Sequence, residues 1–364
     1  MTKKKILIAT GGTGGHIFPA YSLANYLSKK NYVVQISTDK RGLNYLKNYE
    51  NLNLIKIPSS PLIKKNIIGL LFSVIIIIFS IFKSIIFLIF NRPSIVFGMG
   101  GYSSFPICLA ASILRIKSII YENNLIIGKA NKFLLPFVRN IFVSYKDLEG
   151  VPKKYRYKVF EIGNIIREEI IHSKIYAYNE NRFDLLKILV LGGSQAAKIF
   201  AEELPVIFQK LKGLGIPLKI FQQCQEEQNQ KLSQFYKNAK IEFEIFNFTN
   251  NIIDYYSKCN FVITRSGASV LGELLNTKIP FISIPLPSSA DNHQYKNAQF
   301  YFKKGYGYLL EEKDIKSNLF PLIKSFFEDK SLIKSMILKQ EQYSDKNIFS
   351  NLSSQLEKIM YEKN

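Results

Sequence analysis

Residues 5–16 read K-I-L-I-A-T-G-G-T-G-G-H, an apolar run that ends in a cluster of glycines, and a helix-like segment follows at Pro19–Lys30. A second stretch at 187–195, K-I-L-V-L-G-G-S-Q, repeats this order in the other half of the chain. A buried strand, a glycine turn and a helix in that order are typical of nucleotide-binding α/β folds. The two stretches therefore predict two domains that each open with this unit.

The rest of the chain alternates short apolar runs with helix-like stretches, a pattern that predicts right-handed crossovers and parallel sheets. In the first half we expect strands at Lys5–Ala9, Tyr32–Ser37, Leu52–Ile57, Ser94–Gly98, Ser118–Glu122, Ile141–Ser144 and Val159–Ile162. In the second half we expect them at Lys187–Leu191, Leu218–Gln222, Glu242–Phe246, Phe261–Thr264 and Phe281–Ile284. The expected fold class is α/β, with two doubly wound, Rossmann-like parallel-sheet domains facing each other across a cleft. We place the domains at 1–163 and 164–340, followed by a helical tail at 341–364 whose candidate partner is the first domain.

Size, cysteines and charge narrow the class of protein. At 364 residues, 47% of them hydrophobic, the chain is long enough for two packed cores and too apolar for a disordered protein. Its three cysteines, Cys108, Cys224 and Cys259, form neither a CxxC pair nor a cluster with histidine, which disfavours a disulfide framework or a zinc site and favours a reducing cytosol.

The net charge of +21 favours an anionic partner, either an acidic membrane surface or a nucleic acid. Because the lysines are scattered and no Arg-rich stripe occurs, we expect no nucleic-acid partner, although charge alone does not exclude one.

One segment, Ile67–Phe90, is apolar and long enough to span a bilayer, with Lys83 as its only charge. It lies between two predicted strands that should share one sheet, and a single crossing would put those strands on opposite sides of the membrane. We therefore expect a helix that covers the sheet and presses its outer face into the lipid interface, with a spanning helix as the alternative. Lys64, Lys65 and Arg92 flank the segment and are, with Lys83, candidate contacts for anionic headgroups.

Three glycine-rich turns follow predicted strands, at 11–15, 98–101 and 192–193. Glycine lets backbone N–H groups approach an oxyanion closely, and the N-terminus of the following helix favours negative charge. Each turn taken alone is equally compatible with a tight connection that has no ligand. Three such turns at the carboxyl ends of strands, on both domains, indicate ligands that carry phosphates.

A nicotinamide-dependent oxidoreductase is one alternative. The first turn has Gly12 and Gly14, but Ile17 stands at the third glycine position of the dinucleotide fingerprint. Asp39 follows the second strand, where a ribose-binding acid would lie. No G-K-[ST] sequence follows any of the turns, which excludes a P-loop.

Two side chains are candidates for proton transfer. His16 lies where the first helix begins, and a helix N-terminus disfavours the imidazolium form, so a neutral imidazole there suits a general base. A histidine that only supports the turn is the competing interpretation. Glu122 ends a predicted strand and is the second candidate, although such an acid can equally bind a hydroxyl or an adjacent loop.

At this point a family resemblance becomes specific. The motifs that carry it occur in order along nearly the whole chain: G-G-T-G-G-H-I-F-P-A at 11–20, G-M-G-G-Y at 98–102, E-N-N at 122–124, G-N-I-I-R at 163–167, G-G-S-Q at 192–195, R-S-G-A with a later glutamate at 265–273, and D-N-H-Q-Y-K-N-A at 291–298. This set resembles the MurG family of peptidoglycan glycosyltransferases. The resemblance implies a GT-B fold and an inverting transfer of N-acetylglucosamine from UDP-GlcNAc to the 4-hydroxyl of undecaprenyl-pyrophosphoryl-MurNAc-pentapeptide. It also implies a peripheral enzyme at the cytoplasmic face of the bacterial plasma membrane, with the acceptor and the membrane on the first domain and the donor on the second.

The resemblance also implies roles for single residues. Ser194 would contact the donor phosphates, Glu273 the ribose hydroxyls, Gln294 the sugar hydroxyls, and Arg167 would help to hold the donor. Backbone near Phe248 and Thr249 would meet uracil, and the helix N-terminus formed by Ala268, Ser269, Val270, Leu271 and Gly272 would lie near the diphosphate. From the first domain, Thr13, Gly14, Gly15 and Asn124 would reach the site. Without the resemblance, Glu273 would be interpreted as an exposed helical acid.

Three positions depart from the family pattern: Tyr121 replaces a histidine, Ala196 a glycine and His293 a glutamine.

No D-x-D motif lies beside a strand, so we expect no tightly bound cofactor or metal, with Mg²⁺ from solution as an option. The leading rivals are a transferase for another lipid, such as a diacylglycerol glucosyltransferase, an integral membrane protein and a basic nucleic-acid-binding protein.

Overall fold

The computed structural model describes residues 4–12, 14–47, 49, 52–60, 67–173, 180–193, 196–249 and 251–362. The chain forms two compact units, a first unit of Met1–Glu168 with Asp345–Asn364 and a second unit of Glu169–Ser344. The first unit thus ends at Glu168 rather than at residue 163, and its C-terminal segment begins at Asp345 rather than at residue 341. A buried contact attaches the C-terminal segment to the first unit. Both carboxylate oxygens of Asp345 accept hydrogen bonds from Asn164, at 3.0 Å each.

The first unit is a seven-stranded parallel sheet in the order β3-β2-β1-β4-β5-β6-β7. Its elements are β1 (Lys5–Ala9), α1 (Gly14–Lys29), β2 (Val33–Thr38), α2 (Lys40–Leu46), β3 (Asn53–Lys56), α3 (Ile67–Phe90), β4 (Ile95–Gly98), α4 (Phe105–Ile113), β5 (Ser118–Glu122), α5 (Lys129–Leu134), β6 (Asn140–Val143), β7 (Val159–Glu161) and the first residue of α6 (Glu168–Ile171). Leu7, Val96 and Ile120 on the strands are fully buried against Ala110 and Leu134 on the helices. Continuous apolar runs form these strands because helices cover a parallel sheet on both faces.

The second unit has a six-stranded parallel sheet in the order β10-β9-β8-β11-β12-β13. Its elements are β8 (Leu186–Leu191), α7 (Lys198–Gly213), β9 (Leu218–Gln223), α8 (Asn229–Asn238), β10 (Glu242–Phe246), α9 (Ile252–Lys258), β11 (Phe261–Thr264), α10 (Ala268–Thr277), β12 (Phe281–Ser283), α11 (His293–Lys303), β13 (Tyr308–Leu309), α12 (Phe320–Glu328) and α13 (Lys330–Glu341). Ile188, Ile220 and Ile263 form its core with Phe200 and Leu232.

The last helix, α14 (Ile348–Tyr361), belongs to the first unit. The ring of Phe349 stacks on Tyr26 at 4.9 Å between centroids, and Glu357 accepts a hydrogen bond of 2.9 Å from the hydroxyl of Tyr32. The Lys117 ammonium donates to the carbonyl of Ile359 at the end of the helix. The C-terminal segment therefore completes the outer layer of the first unit.

The helix α3 is the crossover between β3 and β4, which lie in one sheet. Its inner face includes three small residues: Ser73, Ser80 and Ser84 are fully buried, and their hydroxyls donate to carbonyls one turn back in the helix. Serine has a small side chain that lets α3 approach α4 closely. By length and composition α3 is the one helix among the described residues that could cross a membrane.

The strand predictions are confirmed to within two residues at each end, and β13 is the strand that sequence patterning missed, because two residues are too short to show a period. The first helix begins at Gly14 rather than Pro19. The helical tail predicted at 341–364 forms one helix, α14 (Ile348–Tyr361), which begins after the chain turns inward at Asp345 to bind Asn164.

Candidate active site

The first glycine turn is held by residues from three neighbouring strand ends. Gly11 lies directly under Ser103, whose Oγ would be 2.2 Å from a Cβ at that position, and Gly12 has a φ of +85°. The Asp39 carboxylate accepts hydrogen bonds from the backbone N–H of Gly42 at 2.8 Å and of Gly12 at 3.4 Å. Burial alone would raise the pKa of Asp39, but these N–H donors and the Arg41 guanidinium outweigh it and hold that pKa below its ordinary value. Asp39 therefore caps α2 and fixes the turn, which is not the geometry of a ribose-binding acid.

His16 occupies the first turn of α1, and its ring lies against the second glycine turn. A Cβ built on Gly100 would come within 3.2 Å of the ring carbon Cε1, and one on Gly101 within 3.4 Å of Cδ2. Both glycines have positive φ, +87° and +76°. The two glycine turns thus form one structure, in which the second turn supplies a flat backbone surface for the half-buried imidazole.

Glu122 is buried at the end of β5 and is surrounded by N–H donors. Its Oε1 accepts from the backbone N–H of Asn124 at 3.1 Å and from its Nδ2 at 2.9 Å. Its Oε2 accepts from the N–H of Gly128 at 2.9 Å and from Nδ2 of Asn131 at 3.0 Å. The carboxylate therefore shapes the loop that carries Asn124.

Arg167 lies in the first unit, after a segment that is tied down at several points. The hydroxyl of buried Tyr121 accepts from the N–H of Ile165 at 3.0 Å and donates to the carbonyl of Gly163. The guanidinium carbon of Arg167 lies 4.4 Å from the centroid of the Phe18 ring, a cation–π geometry. That ring in turn covers Gly14, because a Cβ on Gly14 would be 2.9 Å from it. The structure therefore places Arg167 beside the first glycine turn.

The third glycine turn follows β8 in the second unit. A Cβ on Gly192 would be 2.0 Å from the backbone nitrogen of Ala197, so this position admits only glycine. Ala196 has a φ of +45°, in the left-handed region that favours glycine. Ser194, like Thr13 in the first turn, lies outside the described residues.

The R-S-G-A sequence leads into α10, which begins at Ala268 after Gly267. Arg265 is buried, forms an ion pair with Glu312 and donates to the carbonyls of Ile284 and Pro285. It therefore holds the loops after β11 and β12 together. The start of α10, formed by Ala268, Ser269, Val270, Leu271 and Gly272, lies at the carboxyl edge of the sheet, where the N–H groups of its first three residues point as at any helix N-terminus, while the N–H of Leu271 donates to the carbonyl of Gly267.

Glu273 is buried on α10, so the interpretation as an exposed helical acid is wrong. Its Oε2 accepts a 2.8 Å hydrogen bond from the hydroxyl of Tyr256 on α9. Gln294, in the first turn of α11, uses its Oε1 to accept from the N–H of Leu286 at 2.9 Å. Each side chain is thus oriented by a neighbouring element.

The loop after β10 carries Phe248, which is half exposed, and Thr249, whose hydroxyl accepts from the N–H of Asn251. With Gly192, Ala268 and Gln294, these residues follow four strands of one sheet at their carboxyl ends. The first unit has the same layout, since its candidate residues follow β1, β4, β5 and β7. In parallel sheets ligands bind at that edge.

Known proteins match both units. The model of the glycosyltransferase family 28 N-terminal domain matches residues 6–143, and that of the family 28 C-terminal domain matches residues 187–356. A relative from Pelagibacter ubique, "UDP-N-acetylglucosamine--N-acetylmuramyl-(pentapeptide) pyrophosphoryl-undecaprenol N-acetylglucosamine transferase", is 35% identical over 362 residues, 99% of each chain. The chain belongs to the MurG family of glycosyltransferases.

A MurG-family relative from Rickettsia felis with the same name is 37% identical over 320 residues, 86% of this chain and 87% of its own. The crystal structure of MurG from Acinetobacter baumannii has a TM-score of 0.76 at 23% identity and covers 98% of this chain and 99% of that one. The predicted family, the GT-B fold with two Rossmann-like sheets and the glycosyltransferase class are confirmed.

The three departures from the MurG pattern have different surroundings. Tyr121 is buried in the first unit, where a third contact joins its hydroxyl to the Ser144 hydroxyl at 2.8 Å, and burial raises its pKa. His293 is half-buried, and its Nδ1 lies 2.7 Å from the carbonyl of Ala290. Ala196 is the departure with a backbone consequence, its positive φ.

Two residues that orient candidate site side chains were not predicted from the sequence. Asn131 on α5 and Tyr256 on α9 bind the carboxylates of Glu122 and Glu273, and no motif or period in the sequence marks either of them. Across the part of the chain that the structure describes, no group of three or more His, Cys, Asp and Glu side chains could hold a metal ion.

Proposed function

We propose that this chain transfers N-acetylglucosamine from UDP-GlcNAc to the 4-hydroxyl of a lipid-linked MurNAc-pentapeptide, converting lipid I to lipid II in peptidoglycan synthesis. The observation that carries the proposal is the full-length match to relatives whose name states this transfer, with the site motifs present in both units. The glycine turns and the start of α10 are suited to the two diphosphates of such a reaction.

The reaction is a direct displacement at the anomeric carbon. The acceptor hydroxyl attacks the face opposite UDP and loses its proton as the new bond forms. His16 is the base, because its imidazole lies at a helix N-terminus, which favours the neutral form. The ring also rests on the second glycine turn, which lies beside the first glycine turn. The backbone N–H groups at the start of α10 stabilise the leaving UDP, with no tightly bound cofactor and with Mg²⁺ from solution as an optional aid.

In the donor site, Glu273 accepts hydrogen bonds from the ribose diol, and Gln294 binds sugar hydroxyls. Ser194 and the start of α10 meet the diphosphate, the backbone at Thr249 meets uracil, and Arg167 adds a positive charge. Thr13, Gly14, Gly15 and Asn124 contribute from the first unit.

The same proposal places the enzyme on the cytoplasmic, anionic surface of the plasma membrane as a peripheral protein. The outward face of α3 carries nine apolar side chains that are at least 57% exposed: Ile68, Leu71, Phe72, Ile75, Ile78, Phe79, Phe82, Ile89 and Phe90. Such a face, with exposed Lys83 and Arg92 beside it, suits insertion into the headgroup boundary. The crossover position of α3 between two strands of one sheet supports a surface helix rather than a span. Lys64 and Lys65 lie outside the described residues.

The activity test is incubation of the purified protein with a short-chain lipid-linked muramyl acceptor and either UDP-GlcNAc or UDP-glucose. Product with UDP-GlcNAc alone supports the proposal. Transfer of glucose to diacylglycerol under matched conditions would assign the protein to the rival lipid glycosyltransferases.

His16→Ala tests the base. We expect kcat to fall by about 100-fold or more, with KM for UDP-GlcNAc little changed, because proton transfer contributes about 10²–10⁴-fold. Unchanged turnover would remove His16 from this role.

Membrane binding is tested by sedimentation with phosphatidylglycerol vesicles. The double variant Ile75→Glu with Phe79→Glu should lose binding, whereas Leu214→Glu, which alters an equally exposed apolar side chain in the second unit, should retain it. Alkaline carbonate should release the wild-type protein from membranes, and its retention would indicate a spanning α3.

A further inference from the structure

The Glu122 carboxylate has a complete set of hydrogen-bond donors. A carboxylate offers about four lone-pair positions, and N–H groups at 2.9–3.1 Å occupy two on each oxygen of Glu122. A base for the acceptor hydroxyl needs a lone pair directed at that hydroxyl. If Glu122 accepted the proton of the acceptor hydroxyl, one of its four hydrogen bonds would have to break. The N–H donor of that bond would then lack an acceptor in a buried site, which is costly in free energy.

We infer that Glu122 is a positioning residue rather than a proton acceptor, and that Asn131 is a second positioning residue for the same site. The inference rests on the proposed function, and its subject is the loop between β5 and α5. Glu122 binds this loop at both ends, through Asn124 at its start and Gly128 at its end.

Asn131 anchors the carboxylate from α5. Its buried Nδ2 donates to the carbonyl of Tyr121 and to Oε2 of Glu122, both at 3.0 Å. An amide nitrogen has two hydrogens, so one side chain serves both acceptors. The side chain of Glu122 therefore keeps one orientation.

The loop reaches the His16 segment through two asparagines. Nδ2 of Asn124 donates to Oδ1 of Asn123 at 3.2 Å, and Nδ2 of Asn123 donates to the carbonyl of Gly15 at 3.3 Å. That carbonyl would normally accept from the residue four positions later in α1, but this residue is Pro19, which has no N–H. A continuous chain of hydrogen bonds thus joins Asn131 to the residue before His16.

Glutamine cannot replace Glu122 in this network. The amide nitrogen that Glu122→Gln introduces would direct its hydrogens at two of the N–H donors and leave them without an acceptor. The substitution should therefore displace Asn124, even though glutamine and glutamate have nearly the same shape.

The test is a double-mutant cycle in which kcat/KM for the lipid acceptor is measured against pH. We expect Glu122→Gln to lower kcat/KM by about 10- to 100-fold, as loss of a charge-assisted hydrogen bond does. In an Asn124→Ala background the same change should cost less than about threefold, because Glu122 acts through Asn124. The acid limb of the pH profile, in which kcat/KM falls as the pH is lowered, should keep the same midpoint in the variants as in wild type. The inference would be overturned if Glu122→Gln lowered kcat/KM by the same factor in the Asn124→Ala background as in wild type, or if the acid limb disappeared.

Asn131→Ala provides a milder variant that keeps the carboxylate, in case Glu122→Gln does not fold. It should lower kcat/KM with no shift of the acid limb, whereas a base that loses a donor would shift the limb to higher pH. Glu161→Gln, the same substitution at the exposed end of β7, is the control for folding and assay.

Hydrogen exchange provides a readout that does not depend on transfer. Amides in the 123–131 segment should exchange faster in Glu122→Gln and Asn131→Ala than in wild type, and wild-type rates in both variants would overturn the inference. If the wild-type protein makes no product, the proposed function is contradicted. The hydrogen-exchange rates of the 123–131 amides then test the positioning role of Glu122 and Asn131 without any activity measurement.

Discussion

The imidazole of His16 rests on the backbone of Gly100, with only 3.2 Å between its Cε1 and the place where a Cβ would stand. Residues 84 positions apart in the chain are thereby joined, and the second glycine turn positions the imidazole. The contact explains why two adjacent glycines with positive φ follow β4.

Gly100→Ala should displace the His16 ring. The added methyl group meets the imidazole, and a φ of +87° strains alanine by about 1–2 kcal/mol. We expect kcat to fall by at least about tenfold, with KM for UDP-GlcNAc nearly unchanged. Gly305→Ala, at a φ of +73° in the second unit, is the control for strain alone. Equal kcat values for wild type and Gly100→Ala would show that the ring position does not limit catalysis.

Glu273→Ala should weaken donor binding, since the carboxylate is proposed to accept from the ribose diol. KM for UDP-GlcNAc should rise by about tenfold or more. The 2′-deoxyribose analogue of the donor sharpens the test, because wild type should prefer the natural donor and Glu273→Ala should not. Tyr256→Phe, which removes the 2.8 Å bond that orients Glu273, should give a smaller effect in the same direction. Retained preference in Glu273→Ala would place the ribose elsewhere.

Ala196→Gly should stabilise the second unit. Alanine at a φ of +45° is strained, and glycine relieves the strain at the expense of a more flexible unfolded chain. We expect a gain in unfolding free energy of about 1 kcal/mol, measured by urea denaturation. Ala197→Gly is the matched control, because its φ of −45° suits alanine and the change should destabilise. A loss of stability in Ala196→Gly would mean that the methyl group makes contacts worth more than the strain.

Asp39→Asn should alter the pH dependence of stability. The pKa of Asp39 is lowered in the folded state, so its contribution is complete above the unfolded value of about 3.9 and is lost as the pH falls from there through the lower folded value. At pH 7 the variant should be less stable than wild type by about 1 kcal/mol, and the two should converge below about pH 4. Urea denaturation across this range measures the difference. A difference that persists undiminished at pH 3 would indicate a packing effect rather than the charge.

Local signals account for the parts of the fold that were predicted. Each strand is a short continuous apolar run because helices cover both faces of the sheet, and each glycine turn marks a backbone that other residues cannot adopt. Position in the motifs also placed His16, Glu122 and Asn124 at strand or helix ends. Without the family motifs the same local view would interpret Glu273 as an exposed acid, because a single helix turn does not show what packs on it.

The sequence alone determined the order of strands and helices along the chain, the glycine turns, the two-unit α/β fold and the family, since these depend on residue type and local periodicity. Only the tertiary structure decided that Glu122 is surrounded by donors, that His16 rests on Gly100, and that Asp345 binds Asn164 across 181 residues. Contacts of this kind form when separate elements pack together, and hydrogen bonds between distant residues leave no period in the sequence from which they could be inferred.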